Sequence, residues 1–214
     1  MTAFEHADLP NHPHIAYERH FWRKGYTRIA GLDEAGRGAL AGPVCAAVVI
    51  LPCGRQSLLR TLSGVRDSKQ MSPHERDAWA PRIQETALDW GVGFASPDEI
   101  DILNILGATR LAAMRAIDCL SSSPDYLLTD YLLLSEVPLP QSALVKGDQL
   151  CLSIAAASVL AKTSRDALMR QLDAQYPGYG FARHKGYGTT MHRQSIVSLG
   201  VSAVHRRSFS LLAG

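Results

Sequence analysis

The chain has 214 residues, 46% hydrophobic and 20% charged, with a formal net charge of +2. That balance suits a folded, soluble body and excludes both a disordered polyelectrolyte and a membrane-embedded one. The longest apolar run, 39–52, is interrupted by Gly42 and Pro43 and falls short of the ~20 residues that span a bilayer.

The first thirty residues carry Glu5, Asp8 and several histidines without a continuous apolar stretch, unlike a secretory leader, so a cytoplasmic protein without a membrane partner is expected. Cys45, Cys53, Cys119 and Cys151 are too few and too dispersed for a disulfide scaffold or a zinc ribbon, and read as reduced. Charge is uneven along the chain. From Lys162 onward there are eight Lys/Arg against two acids, a net of +6, which suits contact with a polyanion but equally suits a solvated face.

In chain order, residues 17–24 read as a short amphipathic helix. Thr27 to Asp33 and Val44 to Leu51 read as two paired strands around a glycine-rich turn at Gly36, Gly38 and Gly42. Ser72, Pro73 and Glu75 fit the N-cap, N1 and N3 positions of a helix over 72–88. A strand follows at Leu88 to Ala95. Apolar residues at 102, 103, 106, 111, 114 and 117 then predict one long helix over 98–120. Two short runs, Tyr126 to Thr129 and Ala143 to Lys146, read as buried strands with an acid at or just beyond the carboxyl end. A helix over 153–174 has an apolar stripe, with Lys162, Arg165 and Asp166 off it, and a last helix covers 191–199. Strands first, then helices alternating with strands, give a mixed α/β sheet with helices packed against it.

Four acids stand out. Asp33 and Glu34 end an otherwise apolar strand; either the turn after them lets both carboxylates reach one site, or Glu34 faces water while Asp33 binds turn amides. Asp130 and Asp148 follow separate apolar runs, where each alone is an ordinary turn former. If all four converge, their repulsion calls for cations. Oxygen-only ligation suits Mg²⁺ or Mn²⁺, and a metal pair can hold both the attacking and the leaving oxygen of a phosphoryl displacement. The Gly36-Arg37-Gly38 turn leads into a strand and so is not a dinucleotide loop. It is either a plain tight turn or one through which a sugar-phosphate comes close to the backbone. Arg183-His184-Lys185-Gly186-Tyr187 mixes cations with an aromatic ring, as a nucleic-acid backbone requires.

Taken in order, Gly31-Leu-Asp33-Glu34-Ala-Gly36-Arg37-Gly38 through Val44, Asp67-Ser68-Lys69, the Leu103-Asn104-Ile105-Leu106 to Thr109 stretch, Lys146-Gly147-Asp148, Ser153 to Lys162, His184 to Thr189 and His205-Arg206-Arg207-Ser208-Phe209 resemble bacterial ribonuclease HII, a type 2 ribonuclease H. The resemblance implies a ribonuclease H-like fold: a five-stranded mixed sheet flanked by helices, with a small helical C-terminal part that grips a duplex. It implies a catalytic domain over 17–214 behind a mobile tail at 1–16.

It further implies that Asp33, Glu34, Asp130 and Asp148 are catalytic and bind two Mg²⁺ or Mn²⁺ ions. Gly36, Arg37 and Gly38 would sense the ribose 2′-hydroxyl, Lys69 would lie near the substrate backbone, and Tyr187 would stack on the sugar of the following deoxynucleotide. The expected partner is nucleic acid, acted on by a monomer. Docking to a sliding clamp is conceivable for such an enzyme, but no clear C-terminal motif indicates it. One departure is visible, since the family's usual Asp-Gly after the third acid-bearing strand is Asp130-Tyr131 here. A two-metal DNA nuclease without sugar discrimination, and a catalytically dead binding module, are the competing readings. The second should have lost an acid or the glycine turn, and this chain has kept both.

Overall fold

The computed structural model describes residues 12–212. Helix α1 (Ala16–Trp22) leads into β1 (Ile29–Ala35) and β2 (Val44–Ile50), then α2 (Leu58–Thr61), a 3₁₀ turn at Ser68–Gln70, α3 (Pro73–Thr86) and β3 (Asp89–Ala95). After them come α4 (Pro97–Asp118), β4 (Tyr126–Asp130), β5 (Gln141–Leu144), α5 (Gly147–Leu150), α6 (Leu152–Gln175), α7 (Phe181–His184) and α8 (Thr190–Leu199). The strands form the expected five-stranded mixed sheet in the order β3-β2-β1-β4-β5, flanked by helices. β1 pairs with β4, and β4 with β5, in parallel. Among the described residues, no helix is long and apolar enough to cross a membrane.

The chain divides into two compact units. Among the described residues, one comprises those up to Asp33, Val49–Asp89 and Ser123–Val159; the other comprises Glu34–Val48, Trp90–Ser122 and those from Leu160 on. Four of the five crossings fall inside strands or a helix, so no Pro/Gly-rich linker marks them in the sequence.

In the first unit, the Phe21 ring stacks on Tyr126 at 3.9 Å between centroids, over Ile29, Leu128 and Ile154. Gly31 lets β1 lie directly on the start of α6, because a Cβ there would meet the Ser153 carbonyl carbon at 2.3 Å. Buried Glu18 closes the same helix start, accepting from the Ser153 amide at 2.8 Å and from Cys151 Sγ at 3.2 Å. Of the tail expected at 1–16, residues 1–11 lie outside the described residues. Further along, His14 is bridged to Cys151, donating its amide to Leu150 and accepting from Leu152, and Ile15 is buried.

The second unit packs Ala41, Met169, Tyr179 and Phe181 into its own core. It also buries two complete guanidinium groups, those of Arg165 and Arg206. Arg165, which the apolar stripe of its helix assigned to the polar side, is therefore inside.

The capping box expected at Ser72 and Glu75 is present, and Ser96 with Glu99 forms a second at the start of α4. Three expectations need correction. The long helix is broken at Asn104, whose φ of 59° and ψ of 171° leave the helical region; its Oδ1 then accepts from the Leu106 and Gly107 amides and caps a new start. The strand expected over 143–146 is β5 at Gln141–Leu144, and it is only half-buried. It stops early because Lys146 takes a left-handed conformation, φ 56°, so Asp148 lies on the first turn of α5 and not beyond a strand end.

Candidate active site

The carboxylate site is built within the first unit. β1 and β4 run side by side with Leu32 opposite Thr129, so the next residues, Asp33 and Asp130, are neighbours across adjacent parallel strands. Asp148 is delivered by the left-handed turn at Lys146. Gly147 lies close against its neighbours there, since a Cβ would press on Ile154 Cδ1 at 2.7 Å and on Leu144 Cβ at 3.2 Å. The Gly147 amide donates to Asp130 Oδ1 at 2.8 Å, which fixes one oxygen of that carboxylate. As a result, Asp33, Asp130 and Asp148 each offer an oxygen, all within 4.8 Å of one another, with Asp33 and Asp148 buried.

Crowding these acids has an electrostatic consequence. Burial first, then the charges of Asp130 and Asp67, push the Asp148 carboxyl up to about 6, against the pull of Lys69. Such a cluster fits a hard divalent cation of the Mg²⁺ or Mn²⁺ type, because the donors are all carboxylate oxygens. Glu34, expected in the same set, is not among these three; it accepts from Arg37 Nη1 at 3.1 Å in the second unit.

Lys69 does reach the acids, with Nζ 3.2 Å from Asp148 Oδ2. Its turn is held from several sides. Asp67 accepts from the Lys69 amide at 2.9 Å, Ser68 Oγ meets Ser158 Oγ at 2.9 Å, and Arg76 Nη1 donates to the Ser68 carbonyl at 3.0 Å. Buried Asp67 itself also accepts from Gln149 Nε2 at 3.4 Å; in the sequence it stands out only as the first residue of the Asp67-Ser68-Lys69 motif, with no role of its own. The signal available was its N-cap position one residue before the 3₁₀ turn.

The glycine turn and Tyr187 belong to the second unit. Gly36 has φ 94°, and a Cβ there would lie 1.9 Å from Arg165 Nε. Arg165 donates Nε to the Pro43 carbonyl at 2.9 Å, Nη1 to Lys185 at 2.9 Å and Nη2 to Ala41 at 3.2 Å. Arg206 donates to the carbonyls of Gly42, Arg37 and Gly36 at 3.0, 2.8 and 2.7 Å. These two buried cations take up the turn's inward carbonyls and set its shape. Gly38 is different: its φ is not left-handed, and a Cβ would meet nothing within 4 Å. Tyr187 is 37% exposed, with Arg165 Cζ at 5.6 Å and Lys162 Nζ at 5.7 Å from its ring centroid. Neither buried arginine was expected as a structural element, because guanidinium groups read as surface in a sequence.

A mixed sheet of this order, with Asp33 and Asp130 meeting from its central parallel strands and Asp148 joining them from α5, has the architecture of the ribonuclease H-like class. The family model for ribonuclease HII matches residues 30–212. The ribonuclease HII of Dehalococcoides mccartyi is 50% identical over 200 residues, 94% of each chain. Among solved structures, the ribonuclease H2 of Pyrococcus horikoshii superposes with a TM-score of 0.71 at 24% identity, covering 86% of this chain and 94% of that one. The ribonuclease HII of Archaeoglobus fulgidus, solved in complex with PCNA, gives 0.70 at 26% identity, covering 87% and 97%. The chain belongs to the ribonuclease HII family and is an enzyme, a ribonuclease H endonuclease of a divalent-metal-dependent kind.

Proposed function

We propose that this enzyme hydrolyses the phosphodiester on the 5′ side of a ribonucleotide, in RNA–DNA hybrids and at single ribonucleotides embedded in duplex DNA, leaving 3′-hydroxyl and 5′-phosphate ends. The reading is carried by the convergence of Asp33, Asp130 and Asp148 within 4.8 Å. With Glu34, the next residue on β1, they are the ligands of two Mg²⁺ or Mn²⁺ ions. When bound, that pair supplies an activated water and charge stabilisation for the departing 3′-oxygen.

The chain's own groups do the rest. Asp130, with one oxygen tied to the Gly147 amide, is pre-oriented for ligation. The exposed ammonium of Lys69 neutralises a substrate phosphate. The backbone of Gly36-Arg37-Gly38, with its inward carbonyls already occupied by Arg206, offers its outward groups to a ribose 2′-hydroxyl. Open space at Gly38 supports this, because nothing inside the protein requires a glycine there. The half-exposed ring of Tyr187 stacks on the next sugar. The enzyme acts as a cytoplasmic monomer in ribonucleotide removal from DNA.

The test is a pair of duplexes identical except for one ribonucleotide, incubated with Mg²⁺ and with Mn²⁺. Cleavage confined to the 5′ side of the ribonucleotide, and lost in Asp33→Asn, is expected. Equal cleavage of both duplexes would reject sugar recognition in favour of a general two-metal nuclease. Full activity of Asp33→Asn would reject the site.

A further inference from the structure

Three histidines with no part in the proposed hydrolysis, His184, His192 and His205, are buried side by side in the second unit. His184 stacks on His192 at 4.3 Å with an 18° interplanar angle, and His192 Nε2 lies 3.1 Å from His205 Nε2. Their protonation can be worked out from their partners. His192 Nδ1 is 3.0 Å from the Tyr187 carbonyl, which can only accept, so Nδ1 carries the hydrogen and Nε2 is a lone pair. His205 Nε2 must then donate, leaving its Nδ1 to accept from the Ser202 amide at 3.0 Å and the Ser202 hydroxyl at 2.8 Å. His184 follows the same logic: Nε2 donates to the Tyr179 carbonyl at 2.8 Å, and Nδ1 accepts from the Gly186 amide at 3.1 Å. Every ring nitrogen has a defined role, and two of the three rings end on the main chain of Gly186 and Tyr187.

We propose that His184, His192 and His205 form a positioning relay, His205 to His192 to the Tyr187 carbonyl with His184 on the Gly186 amide, that fixes the Tyr187 ring for its contact with the substrate sugar. This rests on the reading of Tyr187 given above.

The relay requires three neutral rings. A second proton on His192 sets its Nε2–H against that of His205 at 3.1 Å, one on His205 Nδ1 opposes the Ser202 amide at 3.0 Å, and one on His184 Nδ1 opposes the Gly186 amide at 3.1 Å. The surroundings favour neutrality. Phe181 presents its ring edge-on to His184 and His192, and Tyr179 packs against His205. The charged groups around the rings are Arg183, Lys185 and Arg193, with Asp173 as the opposing acid near His184. Burial holds all three below the ordinary histidine range, helped by neighbouring imidazoles at His192 and His205 and by Lys185 and Arg183 at His184, with His192 at about 4.

The experiment is a double-mutant cycle on a duplex with one embedded ribonucleotide, reading kcat and KM separately, with folding monitored by circular dichroism. His192→Phe is expected to lower kcat/KM at least tenfold in the wild-type background and less than twofold on top of Tyr187→Ala. His192→Asn, whose side-chain amide keeps a donor where Nδ1 stood, is expected to stay within threefold of wild type. A His192→Phe loss that persists undiminished beside Tyr187→Ala overturns the relay while leaving the sugar contact intact. A Tyr187→Ala enzyme with wild-type kcat/KM overturns the sugar contact itself, and the relay with it. The unmutated protein offers an independent check through long-range ¹H–¹⁵N spectra at pH 7. Hydrogen on His192 Nδ1 and on His205 and His184 Nε2 is expected, and any other tautomer, or a doubly protonated ring, rules the relay out.

Discussion

Lys69 Nζ stands 3.2 Å from Asp148 Oδ2, a three-quarters exposed ammonium against a buried carboxylate. Burial works against the charge on Lys69, but Asp148, Asp67 and Asp33 outweigh it and hold the ammonium up to about 12. The lysine is therefore charged at every working pH and offers an accessible cation beside the acids. Replacing it by glutamine removes that cation without removing a metal ligand. The expected result is a KM increase of about tenfold with a small change in kcat, and a salt dependence of binding shallower by about one charge. Steady-state kinetics at two metal concentrations and duplex binding across a salt series check this; an unchanged salt slope would place Lys69 off the phosphate path.

Asp148 gives the pH dependence. Its carboxyl sits at about 6 in the fold against 3.8 in an unfolded chain, so between those values the folded protein holds a proton that the unfolded chain has released. Its contribution to metal-free stability is therefore favourable in acid and is lost as pH rises through 6. A divalent cation must displace the same proton. Differential scanning fluorimetry should show a large Mn²⁺-induced rise in Tm at pH 8 and a small one at pH 5. Asp148→Asn should raise the metal-free Tm at pH 8, abolish the Mn²⁺ response and reduce cleavage by about a thousandfold or more, as expected when a group stabilising transition-state charge is lost. Equal Mn²⁺ responses at the two pH values would show that this acid is not a ligand.

The sequence carries some of this arrangement openly and conceals the rest for physical reasons. Asp33 and Asp130 are legible because a carboxylate at the end of an apolar strand is costly without a partner, and the parallel register then makes them neighbours. Asp148 is legible as a residue but not in its placement, because the left-handed Lys146 that ends the strand is a conformation no periodicity reveals. The break at Asn104 is hidden because apolar residues keep helical spacing on both sides of it. Arg165 and Arg206 are hidden because their burial depends on carbonyls from Gly36 to Pro43 and at Lys185, brought together only by the fold. The two units are invisible for a similar reason, with four of their five boundaries inside continuous elements.

Tyr131 tests the chain's departure from the usual glycine after the third acid. Its φ is 61°, a region a glycine adopts freely, and its side chain is exposed, so the ring contributes little packing there. Its amide still donates to the Leu144 carbonyl at 3.0 Å, and any residue but proline preserves that bond. Relief of left-handed strain, about 1–2 kcal/mol, is offset by the greater freedom of an unfolded glycine, about 0.5–1 kcal/mol. Tyr131→Gly is expected to gain up to about 1 kcal/mol in urea unfolding, with cleavage within twofold of wild type. Clear destabilisation would mean that the ring makes a contact worth more than the strain.

Gly36 and Gly38 lie two residues apart in one turn and answer to different demands. At Gly36 a methyl group would occupy the place of the Arg165 guanidinium on a backbone already at φ 94°, so Gly36→Ala must dislodge a buried cation from three carbonyls. A loss of about 3 kcal/mol or more is expected, by analogy with breaking a buried charged network. At Gly38 a methyl group meets open space, and Gly38→Ala should leave Tm within about a degree of wild type. If the turn receives a ribose, that same methyl group fills the room the sugar needs, and kcat/KM on the ribonucleotide-containing duplex should fall at least tenfold in a protein that is otherwise as stable as its parent. Full activity in Gly38→Ala would remove this turn from the substrate interface, whereas a folding defect would mean that the glycine serves the protein interior after all.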